Sequence, residues 1–280
     1  MLVRQRRRKL PAFALSVTSA APESRDARIV GGSPVPIQQA PYAAALVYFY
    51  PGPGRYIQRC NGAIVSSWHV LTTSFCFFRA DLDNFRVRAG SSYSLSGGSV
   101  VNIQEYIEHP EYTVDPRSND LAVALLSEPL RISNSINFLY LPPQNYNIPD
   151  GTNVNVVSWG FESQQGPQHE ALKEINLNTV PLEQCQAAFA DVENVTVEDF
   201  ALCAASPGFG TCFGDSGAPA VLRTYQDILV GIASVYHECG TDTYPDVFTR
   251  VDRFTNWIME VALPPTRSAA DVDAPIVAEY

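Results

Sequence analysis

Residues 214–217 read Gly-Asp-Ser-Gly, a pattern that presents one hydroxyl on a tight, glycine-flanked loop. A serine hydroxyl is a weak nucleophile near neutral pH and attacks a carbonyl efficiently only when a neighbouring group takes its proton. The usual acceptor is an imidazole, which later returns the proton to the leaving amine. The chain has four histidines, His69, His109, His169 and His237. An acid that orients the base and backbone N–H groups that hold the developing oxyanion complete such a site.

Several further strings fix what surrounds Ser216. These are Arg28-Ile29-Val30-Gly31-Gly32, Cys60-Asn61-Gly62-Ala63, Leu71-Thr72-Thr73-Ser74-Phe75-Cys76, Asn119-Asp120-Leu121-Ala122, Ser158-Trp159-Gly160, Thr211–Pro219 and Tyr244–Val251. In this order, and with the cysteines interleaved, the chain resembles the trypsin- and chymotrypsin-like serine proteases over roughly residues 29–263. Departures within the match include Ala218 where a second glycine is usual.

The resemblance implies roles residue by residue. Ser216 matches the nucleophile, Asp120 the orienting acid, and the N–H groups of Gly214 and Ser216 the oxyanion donors. The position just before Cys76, where the family carries its histidine, holds Phe75. A benzyl ring has no lone pair to accept a proton and no N–H to give one back. None of the four histidines is placed by the resemblance to bridge Ser216 and Asp120. Gly210 matches the base of the specificity pocket, Asp246 its opposite wall and Ser234 its edge. A Gly base with an acid on the wall resembles the crab-collagenase (brachyurin) branch, which has mixed specificity; a plain loop carboxylate is the alternative for Asp246. Tyr236, where glycine is usual, narrows the pocket mouth. Cleavage after Arg28 would free the Ile29 ammonium to pair with Asp215. An uncut Arg28 in an exposed linker is the alternative.

Those parts need rigid elements to hold them. Short β-rich runs alternate with Pro, Gly, Asn and Asp clusters, as in Phe85-Arg86-Val87-Arg88 and Asn153-Val154-Asn155-Val156, while Ile228-Leu229-Val230-Gly231-Ile232-Ala233 reads as a buried strand. Many short strands with turn signals read as a sandwich or barrel, an all-β fold. The resemblance, rather than the periodicity, implies two antiparallel six-stranded β-barrels with the cleft between them. Phe254, Trp257, Ile258 and Val261 fall at helical spacing and predict one short C-terminal helix, stopped by Pro264-Pro265. No internal repeat is visible.

Composition bounds the rest. The 280 residues carry a formal charge of −10. Residues 1–28 hold seven basic and two acidic side chains, so the remainder stands at −15. An acidic body argues against nucleic acid or an anionic membrane as partner. No eighteen-residue apolar stretch spans a bilayer. Cys60, Cys76, Cys185, Cys203, Cys212 and Cys239 make an even set without a CxxC pair, which favours disulfides in an oxidising compartment over zinc. Fifteen pairings are open to six cysteines; the resemblance implies 60–76, 185–203 and 212–239. Neither a calcium loop nor a phosphate loop is present, so no metal and no cofactor is expected.

Residues 1–21 have a basic n-region and a short apolar stretch, the layout of a signal peptide weakened by Pro11. Residues 22–28 then form a short pro-segment, 29–263 the peptidase-like domain and 264–280 a tail. With the sequon at Asn194 this points to secretion. Two lysines, Lys9 and Lys173, against seventeen arginines suit an alkaline medium such as some insect gut lumens. The expected function is a secreted protease homologue without hydrolysis, which binds protein or peptide ligands, protease inhibitors or active proteases. An active digestive endopeptidase of chymotrypsin- or collagenase-like specificity, and a purely structural extracellular protein, are the competing classes.

Overall fold

A computed structural model describes residues 30–262 apart from 162, 164, 165, 194 and 242. Arg28, Ile29, Asn194, the leader, the pro-segment and the tail therefore lie outside the described residues. Twelve strands make two closed barrels. The first contains β1 (Ala43–Tyr50), β2 (Arg55–Ile64), β3 (His69–Thr72), β4 (Phe85–Ala89), β5 (Ser99–Glu108) and β6 (Ala122–Leu126). It closes in the order β1-β2-β3-β6-β5-β4. The second contains β7 (Asn153–Ser158), β8 (Lys173–Thr179), β9 (Ala201–Ala205), β10 (Pro219–Leu222), β11 (Ile228–Val235) and β12 (Asp246–Arg250). Its order is β7-β8-β9-β12-β11-β10, the same path repeated. The sequence shows no repeat, so the duplication lives in topology alone.

Closure removes the open edges that a flat sheet of these lengths would expose. It also explains the strand patterns. On β1, Ala44 and Leu46 point into the first barrel while Ala43, Ala45 and Val47 face the second. On β11, Ile228 and Val230 fill the second barrel while Leu229 and Ile232 face the first. A strand apolar on both faces reads as a continuous run, which is what residues 228–233 show. The inter-barrel cluster contains Trp159, Leu121, Leu139 and Val157, all buried, and is capped by Phe254 and Ile258. Each such side chain contributes about 1.5–3 kcal/mol on burial. The C-terminal helix, α2 (Thr255–Val261), lays the expected face down, with Ile258 fully buried. A second short helix, α1 (Leu182–Ala188), has no counterpart in the sequence reading; its single buried residue is Cys185, too thin an apolar stripe to register as periodicity.

Three disulfides join Cys60–Cys76, Cys185–Cys203 and Cys212–Cys239. The first ties β2 to the single turn Ser74–Phe77, and the third ties the Ser216 loop to the segment after β11.

Candidate active site

Phe75, Ser216, Gly214 and Ser234 line one cavity of about 790 Å³ between the barrels. The second barrel supplies the Ser216 loop. Gly214 and Gly217 sit at φ +81° and +83°, the left-handed region in which side chains are strained. At Gly217 a Cβ would lie 2.0 Å from the Asn61 carbonyl oxygen, so the glycine is also a close approach to β2. The Asn61 N–H donates to the Ser216 carbonyl at 2.8 Å. Two buried amides clamp Gly214 from the first barrel: Gln58 Nε2 and Asn61 Nδ2 donate to its carbonyl at 2.9 and 2.8 Å. The sequence reading did not single out either amide, because strand position says nothing about which loop will pack above it.

Asp215 is fully buried. It accepts from Ser158 Oγ, from the Gly160 N–H at 3.1 Å and from the Cys212 N–H at 2.7 Å. Burial pushes its carboxyl up to about 7, with the hydrogen bonds opposing that rise. Val30 bridges to Gly210, bringing the described start of the chain against the same loop.

The first barrel supplies Asp120 and Phe75. Asp120 Oδ1 accepts from the Phe75 N–H at 2.8 Å and Oδ2 from Ser234 Oγ at 2.7 Å. Burial raises its pKa against the pull of Ser234, Arg117 and the backbone of Phe75 and Ser74. No histidine is among the groups acting on it. His69 is buried on β3 with Nδ1 at 2.8 Å from Ser66 Oγ. His109 packs edge-on to Phe254 and Trp257. The backbone N–H of His169 donates to Gly160 at 3.4 Å. His237 lines the cleft, its ring edge-on to Tyr244 at 4.5 Å. Among the described residues, Ser216 Oγ has no hydrogen-bond acceptor.

What stands over Phe75 instead is a cation. The Arg117 guanidinium carbon lies 3.5 Å from the ring centroid, inside cation–π range. Its Nε is 4.0 Å from Asp120 Oδ2 and its Nη1 donates to the Ser234 carbonyl at 2.8 Å. The two-residue strands Thr113–Val114 and Arg117–Ser118 pair to hold it there. Sequence reasoning missed Arg117. A basic residue three before an acid is a pairing signal only on a helix, and this segment is a hairpin.

Gly210 and Asp246 do not line the cavity. Asp246 Oδ2 lies 3.2 Å from where a Cβ at Gly210 would stand, and both its oxygens accept from Thr211, at 2.7 and 2.9 Å. Its carboxyl is likewise pushed up to about 7 by burial. Above, Tyr236 and Phe213 meet edge to face with centroids 5.3 Å apart, an aromatic pair on the cleft wall. Among the described residues no cluster of ligating side chains suits a metal ion, and no helix is long and apolar enough to cross a membrane.

Two six-stranded Greek-key-like barrels, with a loop serine from one and a buried aspartate from the other, define the double-barrel serine peptidase scaffold. Residues 29–258 match the family model described as Trypsin. Over 252 residues the chain is 32% identical to "Trypsin, alkaline B" of Manduca sexta and 33% identical to "Trypsin CFT-1" of Choristoneura fumiferana, covering 89% of this chain and 96% of each relative. It is 28% identical over 250 residues to a "Vitellin-degrading protease" of Bombyx mori, covering 89% and 90%. The chain belongs to the trypsin family.

Proposed function

We propose that this family member is a secreted pseudoprotease: it keeps the cleft, has lost hydrolysis at Phe75, and acts by binding protein or peptide ligands, among them protease inhibitors or active proteases. The observation that carries the reading is an aromatic hydrocarbon beside Asp120 where an imidazole is required, with no acceptor for the Ser216 proton among the described residues. In serine proteases, removing the histidine alone costs about 10⁶ in turnover, leaving roughly 10³–10⁴ over water from binding and the oxyanion hole. The N–H groups of Gly214 and Ser216 donate to no group among the described residues, which suits them to a ligand carbonyl. The names of the relatives favour an active endopeptidase, and Phe75 weighs against it.

The three disulfides support an oxidising, extracellular setting. The scarcity of lysine, together with relatives named alkaline trypsins, supports an alkaline lumen. Arg28, Ile29 and Asp215 form an activation switch in this reading, the Ile29 ammonium neutralising a carboxyl that burial holds above its usual range. If cutting at Arg28 leaves hydrogen exchange at residues 210–214 unchanged, the switch is absent. Asn194 is the expected glycan acceptor.

The test of inactivity uses processed protein and a panel of peptide substrates. Turnover is expected to match that of Ser216→Ala. Substantial hydrolysis that a serine-directed acylating inhibitor blocks, and that Ser216→Ala abolishes, overturns the reading.

A further inference from the structure

We propose that Arg117 is a second lock on the cleft, separate from Phe75: its guanidinium occupies the seat between Asp120 and the Ser234 carbonyl, so a histidine restored at position 75 regains only part of the activity until Arg117 is removed. The proposal rests on the pseudoprotease reading of the same site and adds a cause to it.

The guanidinium makes three contacts at once. It covers the Phe75 ring at 3.5 Å, it stands 4.0 Å from Asp120 Oδ2, and it donates to the Ser234 carbonyl at 2.8 Å. Its side chain is 22% exposed, so solvent screens it only in part. An imidazole replacing the ring in the same orientation would lie under a permanent positive charge, because arginine does not titrate near neutrality. In acyl transfer the serine O–H bond breaks as the Oγ–carbon bond forms, and the proton moves to the imidazole, which becomes a cation. A second cation about 4 Å away opposes that step. At an effective dielectric of about 20 the opposition amounts to about 10³-fold in rate, reduced to about 10²–10³ by partial exposure. Arg117 also draws on the field of Asp120, which would otherwise stabilise the imidazolium. Glu108 and Tyr112 also interact with Asp120 and stay constant across the variants below.

The third contact bears on ligands. Extended peptides bind sheet edges through backbone hydrogen bonds. Ser234 and Val235, at the end of β11, both line the cleft, and the Ser234 carbonyl is already taken by Arg117. Removing Arg117 frees that acceptor, so KM falls as kcat rises.

The experiment compares Phe75→His, Arg117→Gln and the double variant, each processed and each against its Ser216→Ala control. kcat/KM of the double variant is expected to exceed that of Phe75→His by about 10²-fold or more; a gap under about tenfold overturns the proposal. Should the glutamine variant not fold, Arg117→Ser replaces it. Where neither variant turns over, the NMR titration of the introduced imidazole decides. Its pKa is expected to rise by at least about one unit when Arg117→Gln is added, and an unchanged pKa overturns the proposal. Hydrolysis by the unmodified protein would defeat the pseudoprotease reading without deciding this ratio.

Discussion

The two barrels follow the same strand path, yet their halves of the cleft have fared differently. The second barrel's half is a hydrogen-bonded loop: two left-handed glycines, a carboxylate enclosed by Ser158 and two N–H groups, and a Gly214 carbonyl clamped by two amides of the first barrel. The first barrel's half is held by side chains on a single turn and a hairpin, Phe75 and Arg117, both partly exposed to the cleft. A side chain at Gly217 would collide with Asn61 and Thr72 of the first barrel. A phenyl ring at position 75 is readily accommodated, because the Phe75 N–H bond to Asp120 is kept and a cation stands above the ring. On such a scaffold the side chains facing the cleft from one barrel can change while the architecture held by the other persists.

The sharpest way to break that contrast is Gly217→Ala. A methyl there meets the Asn61 oxygen at 2.0 Å and Thr72 Oγ1 at 2.4 Å, both in the wall of the first barrel, on a backbone at φ +83°. Left-handed strain of about 1–2 kcal/mol and overpacking of about 1–3 kcal/mol together predict a loss of about 2–5 kcal/mol. Urea unfolding at neutral pH measures it. A loss under about 1 kcal/mol would show that the second barrel's half is no more rigid than the first's.

Arg117→Gln is the matching change in the first barrel. It leaves the buried Asp120 with hydrogen bonds and no cation. Breaking a fully buried pair costs about 3–5 kcal/mol, and partial exposure together with a separation of 4.0 Å brings this to about 1–2 kcal/mol. Asp120 is already raised by burial, so its proton is bound more readily in the folded state than in the unfolded. The loss is therefore expected at pH 7 and shrinks as acid neutralises the carboxyl. In a double-mutant cycle with Asp120→Asn the two costs should not add; strict additivity would mean that Arg117 is held by its ring and carbonyl contacts alone.

Asp246 separates the barrels by pH. Its folded carboxyl keeps its proton up to about 7, whereas an unfolded aspartate releases it near 3.9. The folded state binds more protons across that window, so this group's contribution is full below about pH 4 and is lost as pH rises to about 7. Asp246→Asn removes the titrating carboxyl while Thr211 retains a carbonyl acceptor. Thermal melts between pH 4 and 7.5 should show a flatter profile in the variant, by about 1–3 kcal/mol across the range. A parallel profile would mean that Asp246 is ionised in the fold at neutral pH.

How far the sequence alone reaches differs between the same two halves. Ser216, Asp120 and the glycines are legible because the strings that carry them, 119–122 and 211–219, resemble the family's site segments. The strands at 85–88, 153–156 and 228–233 were legible from alternation or from a continuous apolar run, and α2 from four apolar positions at helical spacing. Arg117 was not legible, since a hairpin side chain acquires its partners only when two loops and β11 converge in space. Gln58 and Asn61 were hidden for the same reason: their partner, Gly214, is more than 150 positions away. The repeated strand order was hidden too, because topology is kept by hydrogen-bond order while the two sequences that satisfy it share no string.

The smallest effect tests where the halves meet. Tyr236 and Phe213 line the cleft as an edge-to-face pair worth about 0.5–1.5 kcal/mol beyond buried area. Tyr236 is half-buried, so Tyr236→Gly gives up that pair and little else, and a loss of about 1 kcal/mol in unfolding free energy is expected. The gain is access. With the ring gone, the Phe213 face on the cleft wall is uncovered, and a benzyl group can bury apolar area against it. Calorimetry with benzyl alcohol should then detect binding to the variant and none to the unmodified protein. Equal binding by both would mean that the aromatic pair does not limit what this cleft accepts.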